Sequence, residues 1–480
     1  MRGVWSTDRV RAAEQRVFQT TPEPVLMRRA SFGLATHAVR MLGWAVGSRV
    51  VLFVGAGNNG GDALWAGYFL RKRGATVHAV LLKPEKAHPA GLAAFRRAGG
   101  RVVENERAVE VIKQADLVVD GIVGLSGRGP LRPDAAALVA EVTAPIIAVD
   151  LPSGVDPDTG ATDGPSVDAT VTVTFGARKP VHALSPRCGT VELVDIGIGR
   201  ELGEPEIVQL DAGDVGAAWP LPGPADDKYT QGVTGIAAGS AVYPGAAVMA
   251  TGSAVVGTSG MVRYAGPAAD DVRRRWPEVI ATGSLADAGR VQAWVVGPGI
   301  GTGSAGRAAV EFALGAGLPV CVDADGITLL AEHETLWDAR DPDTPMVLTP
   351  HDREFARLAE PLGITLGADR VAAARAMASK IKAFVLLKGH ATIVAAPDGR
   401  VLINQARSSW LATAGSGDVL SGLLGSLLAS GMDPWLAAGY AAWIHEHAAS
   451  LAARGAPIPA TAIIDAIPDA IRATQAASSR

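Results

Sequence analysis

Short runs of Val, Ile and Leu recur along the chain at Arg49–Val54, Thr76–Leu82, Asp116–Val119, Ile146–Val149, Ala169–Thr174 and Val191–Val194. They are apolar at nearly every position rather than every second one, which predicts strands buried on both faces. The helical patterns between them predict parallel crossovers. A second series follows at Thr234–Ala237, Met261–Tyr264, Ala293–Val296, Val320–Val322, Met346–Leu348 and Phe384–Leu387. Between the series, residues 199–223 are rich in Pro, Gly and acid and show no apolar period. The pattern therefore predicts two layered α/β domains in tandem, 1–210 and 211–480, with the boundary near residue 210.

One stretch, Tyr229 to Val262, carries no charge, but it is built of Gly, Ala, Ser and Thr around Pro244 and has little Leu, Ile or Phe. That composition predicts a strand, a glycine-rich loop and a buried helix rather than a membrane span.

Composition narrows the picture. At 480 residues, 48% apolar and 19% charged, the chain has material for more than one core and is not disordered. Lys+Arg (44) against Asp+Glu (48) leaves a net charge of −4, with no basic field to hold nucleic acid or an anionic membrane. The two cysteines, Cys188 and Cys321, lie outside any CxxC spacing, which argues against a disulfide framework or structural zinc and for a reducing, cytoplasmic location. The first residues (MRGVWSTDRVRAAEQ) lack the apolar segment of a secretory signal. The abundance of apolar helices leads to the expectation of a homo-oligomer.

In the first domain, VVLFVGAGNNGGDALW places Gly55, Gly57 and Gly60 in a G-x-G-x-x-G spacing between a strand and a helix. Such a turn brings backbone N–H groups and the positive helix end close to a phosphate, so the domain is predicted to be a Rossmann-like, three-layer α/β/α unit. The acid that would hold a ribose at the end of the second strand is missing; that strand ends Leu81-Leu82-Lys83-Pro84. The turn carries the polar side chains Asn58, Asn59 and Asp62 instead. Asp120 just past one strand, and Asp150 and Ser153 past another, should converge on the same rim. Hard oxygens gathered in this way suit an oxygen-loving cation.

NNGGD, VVDGIVGLSGRGP, and AVDLPSGVDPDTG followed by ATVTVTFGARKP resemble the YjeF N-terminal domain, the NAD(P)H-hydrate epimerase family, across residues 1–200. The resemblance implies that Asn58, Asn59, Gly60, Gly61 and Asp62 bind a hydrated nucleotide. It implies the same for the loop Gly124, Leu125, Ser126, Gly127, Arg128, Gly129 and Pro130, and for Asp150. It also implies K+ held by Asn59, Asp120 and Ser153, and Asp150 is the candidate general acid/base. The chain departs from the family at Ala63, where a glycine often follows NNGGD, and at Arg28-Arg29-Ala30-Ser31, where the family has acid-x-Ala-Gly.

In the second domain, LATAGSGDVLSGLLGSLLASG leads Gly415-Ser416-Gly417 into a helix with Asp418 in its first turn. Unpaired N–H groups there can grip a phosphoryl group, and Asp418 can take the proton of an attacking hydroxyl. VVGPGIGTG, VDADG (Asp323, Asp325), TPHDREF (His351) and VLLKGHATIV, read as a tight turn over Lys388–Thr392, precede it in order. The histidines His445 and His447 lack metal spacing and are expected to be structural.

Together these motifs resemble the YjeF C-terminal domain, a ribokinase-like fold whose members are ADP- or ATP-dependent NAD(P)H-hydrate dehydratases, over Ala225–Ser450. By position, Ala247, Gly299, His351 and Asp418 would then face the hydrated nucleotide. Lys388, Gly389, His390, Ala391, Thr392 and Gly417 would face ADP or ATP, with Mg2+. The family's usual Gly-Asn before GSGD is here Ser408-Ser409-Trp410. The expectation is a bifunctional NAD(P)H-hydrate epimerase and dehydratase acting on small molecules. The alternative is a sugar or vitamin kinase with a non-catalytic nucleotide-binding N-terminal module.

Overall fold

The computed structural model describes residues 1–478. It divides into two compact units, Gly3–Ile207 and Val208–Arg480 together with Met1–Arg2. Both are mixed α/β.

The N-terminal unit is built on a sheet of β1 (Arg49–Val54), β2 (Thr76–Leu81), β3 (Arg101–Val103), β4 (Leu117–Gly121), β5 (Ile146–Val149), β6 (Val171–Phe175) and β7 (Thr190–Val194). Their spatial order is β3-β2-β1-β4-β5-β6-β7, and every pairing is parallel. The order reverses between β1 and β4, and such a switch point opens a crevice at the strand carboxyl ends. Three helices bear on this crevice: α1 (Thr7–Val17), α2 (Glu23–Leu42) and α3 (Asn58–Lys72). β1, β4 and β5 are buried on both faces, as continuous Val/Ile/Leu runs require. Leu52, Leu64, Leu70 and Phe95 join the core on the α3 side, and Phe53, Ile112 and Ile146 the core on the other.

The C-terminal unit contains β8 (Ile207–Gln209), β9 (Val233–Ala237), β10 (Met261–Ala265), β11 (Ile280–Thr282), β12 (Ala293–Val296), β13 (Val320–Val322), β14 (Met346–Leu348), β15 (Phe384–Leu387), β16 (Ala391–Ala395) and β17 (Val401–Gln405). They run in the order β8-β17-β16-β15-β14-β13-β12-β9-β10-β11. Pairing is parallel from β11 to β15, and the hairpin β15–β16–β17 is antiparallel. The order reverses between β9 and β12. Helix α4 (Pro244–Val256) follows β9, α5 (Asp352–Ala359) follows β14, and α6 (Ser416–Ala429) follows β17. Every residue from Val419 to Ala429 is buried, because α6 packs against α4 and the sheet at once. The uncharged stretch around Pro244 is strand, loop and buried helix as expected, and no helix of the described residues is long and apolar enough to cross a membrane.

Two elements differ from the pattern. Asp120 lies inside β4 rather than past it, since its carboxylate is bonded within the loop above and the strand can continue to Gly121. The turn read over Lys388–Thr392 ends at His390, and Ala391 and Thr392 already pair in β16. Both cysteines are buried free thiols, with Cys188 pushed up to about 12 by burial.

Candidate active sites

In the N-terminal unit a cavity of 420 Å3 lies over the switch point. Its floor is Gly57, Asn58, Asn59, Asp62 and Asp150, one side is Gly124, Leu125 and Ser126, and α1 and α2 close it with Glu14, Glu23 and Met27. The remainder of the glycine loop, Gly127 to Pro130, lines a separate cavity of 340 Å3. Gly57 takes φ +83 to turn β1 into α3. Gly60 and Gly61 face inward: a Cβ on Gly60 would lie 2.3 Å from the Gly55 carbonyl, so these two shape the turn from behind rather than the cavity wall. Asn58 donates to Glu23 at 2.7 Å and so ties the turn to α2.

Asp150 sits at the end of β5 with φ +68, a left-handed conformation that a non-glycine residue adopts at a cost of about 1–3 kcal/mol. The surroundings enforce it. Its N–H donates to the Val173 carbonyl at 2.8 Å, and His182 Nε2 meets its carbonyl at 2.7 Å. Its carboxylate accepts from Thr174 Oγ1 at 2.9 Å and from Lys179 Nζ at 2.5 Å, with Lys179 1% exposed. Burial alone would raise the Asp150 pKa; the Lys179 ammonium and the hydrogen bonds outweigh it and hold the carboxyl below the usual range. His182 accepts from the Lys179 N–H through Nδ1, and burial lowers it to about 3, so it is neutral. Across the same cavity Asp62, buried and bonded to Ser31 at 3.0 Å, is raised well above its usual value by burial, and Glu14 is raised for the same reason. One cavity thus holds a carboxyl pushed down by its partner and two pushed up by burial, Asp62 the more strongly.

The oxygen cluster also assembles. Asp120, fully buried, accepts from Ser153 Oγ at 2.7 Å, from Ser153 N at 2.8 Å and from Ile122 N at 3.2 Å, and Asn59 donates to the Val123 carbonyl at 3.0 Å. Burial raises Asp120 to about 6. Its neighbours are neutral oxygens, and no group of three or more His, Cys, Asp or Glu positioned for a metal occurs among the described residues. This donor set fits a weakly charged, oxygen-seeking cation better than a zinc-like one.

In the C-terminal unit a cavity of 520 Å3 is lined by Tyr243, Gly245 and Ala246 of the α4 start, by Gly299 and Asp325, and by Ala414, Gly415 and Asp418. Gly239 donates to the Pro298 carbonyl at 2.7 Å, which joins the two loops flanking the switch point. Gly415, at φ +87, caps α6 and sets Asp418 in its first turn. Burial, reinforced by the charges of Asp323 and Asp325, pushes Asp418 up to about 7. Ala247 is fully enclosed behind this wall, because α4 turns it toward the core, and its buried neighbour Ala246 lines the cavity instead.

Lys388 and Asp323 form a bonded pair behind the glycine turn. Lys388 Nζ donates to Asp323 Oδ1 at 2.8 Å and lies 3.9 Å from Glu354, while Ser421 Oγ donates to Asp323 Oδ2 at 2.6 Å. A Cβ on Gly417 would come 3.5 Å from that ammonium, so the lysine lies directly beside the helix start. His351 caps α5, with its Nδ1 accepting from the N–H groups of Arg353 and Glu354 at 3.1 and 3.3 Å. Gly389 and His390 are exposed at the hairpin tip, whereas the Ala391 side chain is buried. His445 is buried and lowered to about 4, and His447, half-buried, has its ring centroid 5.0 Å from that of Trp443.

Sequence reasoning missed Lys179, Glu14, Ser31 and Ser421. Lys179 stands in the GARKP stretch without a spacing that marks it. Glu14 and Ser31 belong to helices whose approach to the cavity only the fold reveals.

The fold and the two sites define a pair of nucleotide-handling α/β catalytic modules in one chain. The family described as YjeF-related protein N-terminus matches residues 23–181, and the NAD(P)H-hydrate dehydratase family matches residues 234–469. The bifunctional NAD(P)H-hydrate repair enzyme Nnr of Mycobacterium tuberculosis is 57% identical over 439 residues, 90% of each chain. That of Mycobacterium leprae is 54% identical over 460 residues, 94% of each. A ribokinase-like superfamily protein of Enterococcus faecalis, 20% identical, covers 56% of this chain and 97% of its own at a TM-score of 0.50, a likeness of fold alone. The chain belongs to the bifunctional NAD(P)H-hydrate repair enzyme family, with an epimerase-type N-terminal domain and a dehydratase-type C-terminal domain.

Proposed function

We propose that the N-terminal domain interconverts the R and S forms of hydrated NAD(P)H and that the C-terminal domain dehydrates the S form at the expense of ADP or ATP, the two activities dividing near residue 210. Asp418, poised at about 7 in the mouth of a phosphoryl-binding helix start, is the observation that carries this reading. As a carboxylate it takes the proton of the ring hydroxyl while the hydroxyl oxygen attacks the terminal phosphoryl group. The GSGD N–H groups and Lys388 balance the charge on the transferring phosphoryl group, and Mg2+ travelling with the nucleotide would add to this. The ring nitrogen then expels the phosphate with its electron pair, a proton leaves the neighbouring ring carbon, and the double bond returns. Gly299 and Ala246 enclose the damaged ring. The exposed Gly389 and His390 lie toward the adenine nucleotide, and His351 orders the rim beside them.

In the epimerase site, the hydroxyl leaves and returns. Asp62, whose carboxyl burial raises well above its usual value, supplies a proton to the departing hydroxyl; the Asp150 carboxylate receives one from the returning water, and its return to Asp62 resets the pair. Asn59, Asp120 and Ser153 would hold K+, whose charge would keep Asp120 ionised and the loop at Gly124 fixed. We further propose a cytoplasmic homo-oligomer. Incubating the protein with hydrated NADH and ADP, then ATP, tests the reading: reduced-nicotinamide absorbance returns, whereas a stable phosphorylated product would show a sugar- or vitamin-type kinase instead.

A further inference from the structure

The cavity of 340 Å3 beyond the glycine loop shares Ala56, Gly124 and Ser126 with the cavity that holds Asp150. The two are therefore neighbouring compartments on either side of the fingerprint turn. The charged residues of its wall are Lys83, Arg128, Arg132 and Asp134. Arg128 is committed elsewhere, 3.0 Å from Asp158 and 3.5 Å from Asp156. Lys83, half-buried, and Arg132, exposed, form no ion pair among the described residues. Two uncommitted cations thus face one carboxylate.

Their position carries the meaning. Lys83 lies just past the end of β2, separated from its last residue Leu81 by Leu82 alone. In dinucleotide-binding α/β folds the end of the second strand decides which ribose is accepted: an acid there bonds the 2′-hydroxyl, whereas a nearby cation accommodates a 2′-phosphate. The chain has no acid at that point, and Glu85 is exposed outside the cavity wall.

We propose that this second cavity is an adenosine 2′-phosphate subsite, so that the N-terminal domain favours hydrated NADPH over hydrated NADH. The proposal rests on the epimerase reading of that domain and names its preferred substrate. The damaged ring lies against Asp150, the diphosphate crosses the Gly55–Gly60 turn at the start of α3, and the adenosine enters the second cavity with its phosphate between Lys83 and Arg132.

The test is the kcat/KM of epimerisation for both hydrates in the full chain and in Lys83→Ala and Arg132→Ala. The unaltered protein favours the NADPH hydrate. Each variant loses about tenfold on that substrate, as expected for one charge-assisted contact, mainly through KM, and stays within about twofold on the NADH hydrate. Competition supplies a second measurement that needs no variant: adenosine 2′,5′-bisphosphate inhibits epimerisation more strongly than 5′-AMP. Equal kcat/KM for the two hydrates with equal inhibition by the two nucleotides overturns the subsite. Absence of epimerisation on both hydrates overturns instead the epimerase reading on which it rests.

Discussion

At the scale of single residues, the account turns on carboxyl groups whose environments push them in opposite directions. Asp418 at about 7 must be ionised to accept a proton. Dehydration should therefore fall about tenfold per pH unit below 7 and level off above it, as a kcat/KM profile against pH will show. In Asp418→Asn that limb vanishes together with the activity, which drops by about 10²–10⁴. Asp150 is held down by Lys179, so its contribution to stability is present above the ordinary carboxylate range and is lost as pH falls through its lower folded value. Lys179→Met leaves a buried carboxylate without its partner and should cost about 3–5 kcal/mol in denaturant unfolding; an unchanged midpoint would mean the pair is not closed. At Asp120, raised to about 6, replacing potassium by choline in the buffer should slow epimerisation and leave dehydration by the other domain unaltered in its dependence on Asp418.

At the scale of elements, the sites depend on where strands stop and helices start. Gly415→Ala places a Cβ 2.5 Å from Met249 Cε at φ +87. The side chain can yield but the backbone cannot, so about 1–2 kcal/mol of strain falls on the α6 start. Dehydration should drop severalfold with the epimer equilibration rate unchanged. The long buried strands were legible, because runs such as Arg49–Val54 and Ile146–Val149 are apolar throughout. The strands Arg101–Val103, Ile207–Gln209 and Ile280–Thr282 were not: the equally short Val320–Val322 and Met346–Leu348 are apolar and buried throughout, whereas these three are only partly buried and are held by their neighbours in the sheet. The acids and glycines at strand ends were readable from position alone. Asp150's restraint was not, because Lys179 lies 29 residues on and reaches it only through the fold. Ala247 and Ala246 show the finest limit: one residue of helix phase decides which methyl meets the cavity.

At the scale of the whole molecule, two independent sheets each open their own crevice, and each crevice carries its own acid. On the proposed reading, the two activities should depend on separate residues. The most direct measurement is to give Asp418→Ala and Asp150→Ala each a mixture of R- and S-hydrated NADH, with ADP or ATP, and to follow epimer ratio and nicotinamide absorbance in parallel. We expect Asp418→Ala to equilibrate the epimers without restoring absorbance, and Asp150→Ala to consume the S form and leave excess R behind. Loss of both activities in either folded variant would contradict the account.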